Sequence, residues 1–286
     1  MKHVVIFSVS YYGRAIFRSL RKDLNNYNIV CFIDNNAAAE YGGEFAKIPI
    51  LSPNKLIDME FDQVLIAGRS IQDQVQQLEN DLKIPKYKIR VLKKSEIQTL
   101  ENENLNRERS TIEMIEIILK IFTSCEIDYW FDYSSLLALY RGDNLSDYGD
   151  VDITLISYGA IEILWKELLS LNSPNIEINK TYGIGNDSQK INKIVMKSVV
   201  NIEKEEPAIF DICIKLPRDS GYVSEGNGIT TYTPIEYFNG FTIKEYRGFE
   251  LRVPVNLTKY LEFIYGKGWK SPAEYWTTAS MGNLIK

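Results

Sequence analysis

Histidine is almost missing from this chain: His3 is the single copy among 286 residues. That excludes Ser-His-Asp and Cys-His nucleophilic catalysis, and histidine-rich zinc sites with them. Cysteine is scarce as well. Cys31, Cys125 and Cys213 are odd in number, far apart and without a CxxC pair. Each sits in an apolar run, which reads as a buried free thiol in a reducing compartment. No apolar run approaches the ~18 residues of a membrane span, and the opening one, residues 4–9, is too short for a secretory signal. Excess positive charge is also lacking. Lys and Arg number 33 against 38 Asp and Glu, a formal charge of -5, which argues against general binding of nucleic acid or anionic membranes. The cytoplasm is the expected location. Acid–base or metal chemistry here has to rest on carboxylates, lysines or tyrosines.

What is present begins with apolar residues, 45% of the chain, and enough aromatics to fill one large core or two ordinary ones. Residues 1–97 alternate strand and helix signals. Residues 4–7, 28–33, 63–67 and 87–92 read as strands, with helical periodicity over 14–24 and 71–82. Such alternation implies a parallel sheet with right-handed crossovers. The first turn has Gly13 alone of a GxGxxG fingerprint, with Ser8 and Ser10 where the other glycines would stand. No NAD site is therefore assigned, although Asp34 occupies the position of a ribose-binding acid. The stretch, with a later Gly42 or Gly43, resembles the small Rossmann-like domains that precede sugar acyltransferases and other polysaccharide-biosynthesis enzymes. A structural or partner-docking role fits it at least as well as nucleotide binding.

Residues 98–109, with Glu101, Glu103, Arg107, Glu108 and Arg109, read as a charged connector. A second domain is expected over 110–286. Ser110 and Glu113 have capping-box spacing, and Ile112, Ile115, Ile118, Leu119 and Phe122 follow at helical intervals. The chemistry centres on residues 150–155. In a strand, Asp150 and Asp152 project from one face while Val151 and Ile153 pack behind. Two adjacent carboxylates stay ionised when a cation lies between them, and hard oxygen ligands suit Mg²⁺ or Mn²⁺. A third carboxylate, Asp211, sits alone in the apolar strand 208–214, where burial is costly without a cation or donors.

The stretch WFDYSSLLALYRGD…GDVDI resembles the signature of the LicD/fukutin family, W-x-D-x-G-T-L-L-G-x-x-R followed by D-x-D. Trp130, Asp132, Leu136, Leu137, Arg141, Asp150 and Asp152 match it. Ser134 and Ala138 replace glycines, Ser135 keeps a hydroxyl at the Thr position, and Gly149 precedes Asp150. The family's C-terminal pattern is matched by Val253-Pro254, Tyr260-Leu261, Tyr265-Gly266, Trp269 and Pro272, with Gly268 as an insertion. The resemblance implies an α/β chain: a small Rossmann-like parallel-sheet domain, then an α+β nucleotidyltransferase-type domain with a mixed sheet. It also implies a transferase moving a phosphorylated substituent, such as phosphocholine or a polyol phosphate, from a CDP-linked donor. The acceptor would be a glycan or glycolipid of capsule or lipopolysaccharide biosynthesis.

In that reading Asp150, Asp152 and Asp211 hold Mg²⁺ or Mn²⁺, with Asp211 either a ligand or the base. Ser134, Ser135 and the amides beside them cradle a donor phosphate at a helix N-terminus. Arg141 either clamps a phosphate or pairs with Asp143 or Asp147. Lys193 and Lys197 face the site, and Asp132 orients it from behind. Two alternatives stay open: nucleotidyl transfer to a sugar phosphate, and a non-catalytic nucleotide- or glycan-binding subunit. The transferred group, the acceptor, the first domain's ligand and any homo-oligomer are undetermined by the sequence.

Overall fold

Val4, Val5, Ile6 and Phe7 are all essentially buried, so the first strand is covered on both faces, as expected at the centre of a parallel sheet. A computed structural model of the chain describes residues 1–22, 26–36, 43–68, 71–93, 96, 105–183, 189–226, 229–271 and 281–285. It divides into two compact units, chiefly Met1–Glu103 with Asn201–Glu206, and Asn104–Val200 with Pro207–Pro272. The class is α/β, a Rossmann-like unit followed by one built on a mixed sheet.

In the first unit the elements are β1 Lys2–Phe7, α1 Tyr11–Lys22, β2 Tyr27–Ile33, β3 Glu44–Phe45, β4 Ile48–Leu51, β5 Gln63–Ile66, α2 Ile71–Gln76 and β6 Ile89–Val91. The sheet order is β3-β4-β2-β1-β5-β6, parallel except for the β3–β4 hairpin. Apolar clusters lie on both of its faces. That hairpin is too short to register in the sequence pattern. The helix expected over 71–82 changes pitch at Gln77, continuing as a wider π-turn to Asp81. The last strand is shorter than expected, because the 3₁₀ turn Lys86–Lys88 follows Pro85.

The first turn is tight. A Cβ on Gly13 would lie 1.8 Å from the Ser8 carbonyl oxygen, so only glycine lets α1 approach β1 so closely. Asp34 ties this turn together: one carboxylate oxygen accepts from the Val9 amide (3.1 Å) and the other from Asn36 (2.9 Å). Asn201–Glu206 belongs to this unit although it follows a strand of the second. Its buried Glu206 accepts two bonds of 2.9 Å from Arg14 and one of 2.7 Å from Arg18. A boundary placed by composition alone does not reveal that return.

The second unit runs α3 Leu105–Ser124, β7 Tyr129–Phe131, α4 Tyr133–Arg141, β8 Val151–Leu155, α5 Tyr158–Ser170, β9 Ile176–Tyr182, β10 Ile191–Ser198 and β11 Ile209–Ile214. The strands form a mixed sheet of order β7-β8-β11-β10-β9, with β8 and β11 parallel and the other pairs antiparallel. Val151, Ile153 and Leu155 of β8 and Phe210, Ile212 and Ile214 of β11 face one core. A three-stranded sheet follows, β12 Leu216–Arg218, β13 Gly221–Gly226 and β14 Ile229–Pro234. The hairpin β15 Phe241–Tyr246 and β16 Phe249–Pro254 leads to α6 Leu257–Tyr265.

Two local expectations change here. Ser110 lies inside α3 and does not cap it, since the helix already includes Leu105. Arg107, expected in a solvated connector, is buried and donates to the Gly149 carbonyl. Pro254 ends β16, and α6 starts three residues later. Gly42, Glu101, Glu103 and Pro272 lie outside the described residues. Among the described residues no helix is long and apolar enough to cross a membrane.

Gly13→Ala is expected to destabilise the first unit by about 1–3 kcal/mol, the usual range for overpacking. Urea unfolding measures it, and a change below about 0.5 kcal/mol, the size of a neutral surface substitution, contradicts the close approach.

Candidate active site

Strand alternation alone puts Asp152 on the face of β8 opposite the core, and the parallel register pairs it with Asp211 on β11. Asp150 immediately precedes β8. Each of the three offers a carboxylate oxygen, and those atoms lie within 4.8 Å of one another, all partly exposed. Oxygen donors so arranged fit a hard divalent cation. Mg²⁺ takes ligands at about 2.1 Å, so two ligands of one ion stand at most ~4.2 Å apart. A cluster within 4.8 Å meets that after small side-chain adjustments, or holds a pair of ions about 3.5–4 Å apart. Mg²⁺ and Mn²⁺ therefore suit these residues.

Asp152 is held rigidly. Its Oδ2 accepts from the Ser134 amide (3.0 Å) and the Ser134 hydroxyl (2.6 Å), and its own amide donates to Ser135 Oγ (2.8 Å). Asp211 accepts from Lys193 Nζ at 2.5 Å. Partial burial by itself would pull the Lys193 ammonium down, but Asp211, with Asp150 behind it, more than reverses this and raises it. In the β10–β11 register Val195 pairs with Asp211, which puts Lys193 and Lys197 on that same face, two residues to either side.

Beneath this cluster lies a buried polar frame. Asp132 caps α4 by accepting from the Tyr133 amide (2.7 Å), and it also accepts from Tyr260 (2.8 Å), Thr154 (2.6 Å) and Lys215 (2.5 Å). Asp132 and Lys215 are both 0% exposed. Burial works against the Lys215 ammonium, yet the carboxylate beside it lifts it above the ordinary lysine range. Breaking such a pair from one side costs about 3–5 kcal/mol.

Several expected roles change with this geometry. The first three amides of α4 are already bonded, Tyr133 and Ser135 to Asp132 and Ser134 to Asp152. The helix start thus aims a carboxylate, its first three amides engaged within the protein. Ser135 is fully buried, so it presents no surface to a donor; Asp132 is fully buried too and lies behind Asp152, to whose carbonyl its amide donates (2.9 Å). Arg141, at the far end of α4, donates to Tyr148 (3.1 Å) and to the Trp269 carbonyl (2.9 Å), neither of them a phosphate subsite nor the anticipated Asp143 or Asp147. Tyr148 in turn donates to Asp143 at 2.5 Å. Lys215, Thr154 and the Tyr260 hydroxyl were not singled out by sequence. The available signal was Lys215 itself, a lysine closing the apolar run 208–216.

Residues 1–90 match the family model described as C2185-like, N-terminal. No curated protein matches the chain. Among solved structures it is similar to the lincomycin-bound lincosamide antibiotic adenylyltransferase LnuA, at 16% identity and a TM-score of 0.34 over 53% of this chain and 84% of that one. It is also similar to the putative oxidoreductase yvaA from Bacillus subtilis, at 12% identity and a TM-score of 0.26 over 98% and 93%. An NAD-binding protein from Listeria innocua matches at 16% identity and a TM-score of 0.23 over 81% and 72%. Similarities this loose carry no argument about activity. The expected membership of the LicD/fukutin family is corrected: the family model that matches the chain is the C2185-like N-terminal one, over residues 1–90. The matched motif residues Trp130, Asp132, Leu136 and Arg141 are accounted for by packing, capping and hydrogen bonds within the second unit.

Alkaline pH is expected to weaken the fold. Burial pushes the Cys31 thiol up to about 11 and the Cys213 thiol up to about 12 from an ordinary 9.0, and Lys215 is also raised. Each group binds its proton more tightly when folded, so stability is intact below the unfolded values and falls as pH rises toward the folded ones. The urea midpoint should hold from pH 7 to about pH 9 and then decline, the Cys31→Val/Cys213→Val variant declining later. A midpoint flat to about pH 11 contradicts this.

Proposed function

We propose that the second unit is a metal-dependent transferase that moves a phosphorus-containing group from a nucleotide-linked donor to a hydroxyl acceptor. The observation that carries this is the convergence of Asp150, Asp152 and Asp211 within 4.8 Å. Asp150, Asp152 and Asp211 would hold the divalent ion, which supplies Lewis-acid neutralisation of phosphate charge. The chain's own residues do the rest. Ser134 keeps Asp152 aimed, and Asp211 would either ligate the ion or take the acceptor's proton. Lys193 and Lys197 present cations to an anionic donor from the face that carries Asp211. The finer expectations, a CDP-linked donor and a glycan or glycolipid acceptor, came with the overturned family resemblance and supply only the first compounds to test.

Nucleotidyl transfer from a nucleoside triphosphate is the second reading, favoured by the same three-carboxylate site, which serves either displacement at phosphorus. Incubation with CTP and with CDP-linked donors, with Mg²⁺ or Mn²⁺ and sugar or sugar-phosphate acceptors, separates the two by phosphorus NMR. Pyrophosphate release from CTP marks nucleotidyl transfer, and CMP release from the diphosphate donor marks the first reading. Asp150→Asn, Asp152→Asn and Asp211→Asn should each lower turnover at least about 100-fold, as loss of a preorganised charge-stabilising group does. Donor binding that survives all three, with no turnover in the unaltered protein, replaces the enzyme by a binding subunit.

A further inference from the structure

Outside the three clustered carboxylates, the buried Lys215 ties together elements around them. It follows directly on β11, which bears Asp211, and its amide donates to Leu155 at the end of β8 (2.8 Å). Its Nζ donates to Asp132 Oδ2 (2.5 Å) and to the Tyr260 hydroxyl of α6 (2.9 Å). Asp132 also takes the Thr154 hydroxyl of β8, two residues beyond Asp152, and its own amide donates to the Asp152 carbonyl (2.9 Å). Capping by Asp132 fixes the first turn of α4, and that turn presents the Ser134 amide and hydroxyl to Asp152 Oδ2.

We infer that Lys215 is a positioning residue: through Asp132 and Ser134 it sets the direction in which Asp152 offers its oxygen to a divalent cation. This rests on the metal reading of the carboxylate cluster and names the residues outside it that tune its affinity. A lysine serving stability alone would have no route to Asp152. Here the route runs by hydrogen bonds from Lys215 Nζ to Asp132 and from Asp132 to the Tyr133 amide, then along the backbone of that first turn to Ser134, which donates to Asp152 Oδ2; Thr154, on the strand of Asp152, bonds to Asp132 as well. An aspartate aimed by a fixed helix start meets a cation without reorganising, which is how groups behind a metal's ligands set its affinity.

The test is Mn²⁺ titration followed by electron paramagnetic resonance, on the full chain, below the unfolding temperature of every variant. Lys215→Met, Thr154→Val and Ser134→Ala should each weaken Mn²⁺ binding, about 10–100-fold where the full effect of such residues is lost. Lys215→Met combined with Ser134→Ala should weaken it little more than Ser134→Ala alone, because both act along one route. If Lys215→Met does not fold, Thr154→Val and its combination with Ser134→Ala decide. Wild-type affinity in the Lys215 or Thr154 variants, or full additivity with Ser134→Ala, overturns the inference while leaving the metal reading intact. Absence of Mn²⁺ binding by the unaltered protein overturns the metal reading and this inference with it.

Discussion

Carboxylates within 4.8 Å of one another repel by about 3 kcal/mol per pair at an effective dielectric constant of about 20. The second unit is arranged so that the chain accepts this crowding. The β8–β11 register is locked by the apolar residues on the other face, Val151, Ile153, Phe210 and Ile212, all buried. A slip of one residue would turn Asp152 and Asp211 into that core and expose the apolar set. Hydrophobic burial thus enforces an electrostatic cost that the chain would otherwise relieve by moving apart.

What softens the repulsion is local. Ser134 supplies two donors to Asp152, and Lys193 supplies a cation to Asp211. Below them, the pair Asp132–Lys215 is removed from water with its hydrogen-bonding capacity largely used. A buried ion pair is weak evidence for stability, since apolar residues of similar volume often serve as well. Its more specific consequence is that the start of α4 and the ends of β8 and β11 share one fixed point. A site for charged ligands gains from such rigidity, because its dipoles and charges need not reorganise when the ligand arrives.

The strand alternation that turns Asp152 away from the core, and the lone carboxylate of Asp211 in an apolar run, were legible because period-two patterning and the cost of a buried charge are local properties, whereas Asp150, expected in the same strand, joins the cluster from just before it. The alternating strands and helices of the first unit were legible for the same reason. The fates of Ser135 and Arg141 were not, because they depend on partners distant in sequence: Ser135 meets the Asp152 amide and Arg141 meets the Trp269 carbonyl, and the partner of Asp132, Lys215, was equally out of local reach. The motif that suggested LicD misled for a related physical cause. Trp130 donates to the Gly240 carbonyl and packs edge-on against Phe238, while Leu136 fills the core. Residues that build a frame can recur wherever that frame is useful, so their spacing does not identify a substrate.

Diffraction from crystals of the protein soaked in Mn²⁺, collected at the manganese absorption edge, tests the central claim most directly. The account predicts an anomalous peak within about 2.3 Å of carboxylate oxygens of Asp150, Asp152 and Asp211, and its loss when Asp152 is replaced by Asn. Crystals that show no peak there, or show one that persists unchanged in the Asp152→Asn protein, would contradict it.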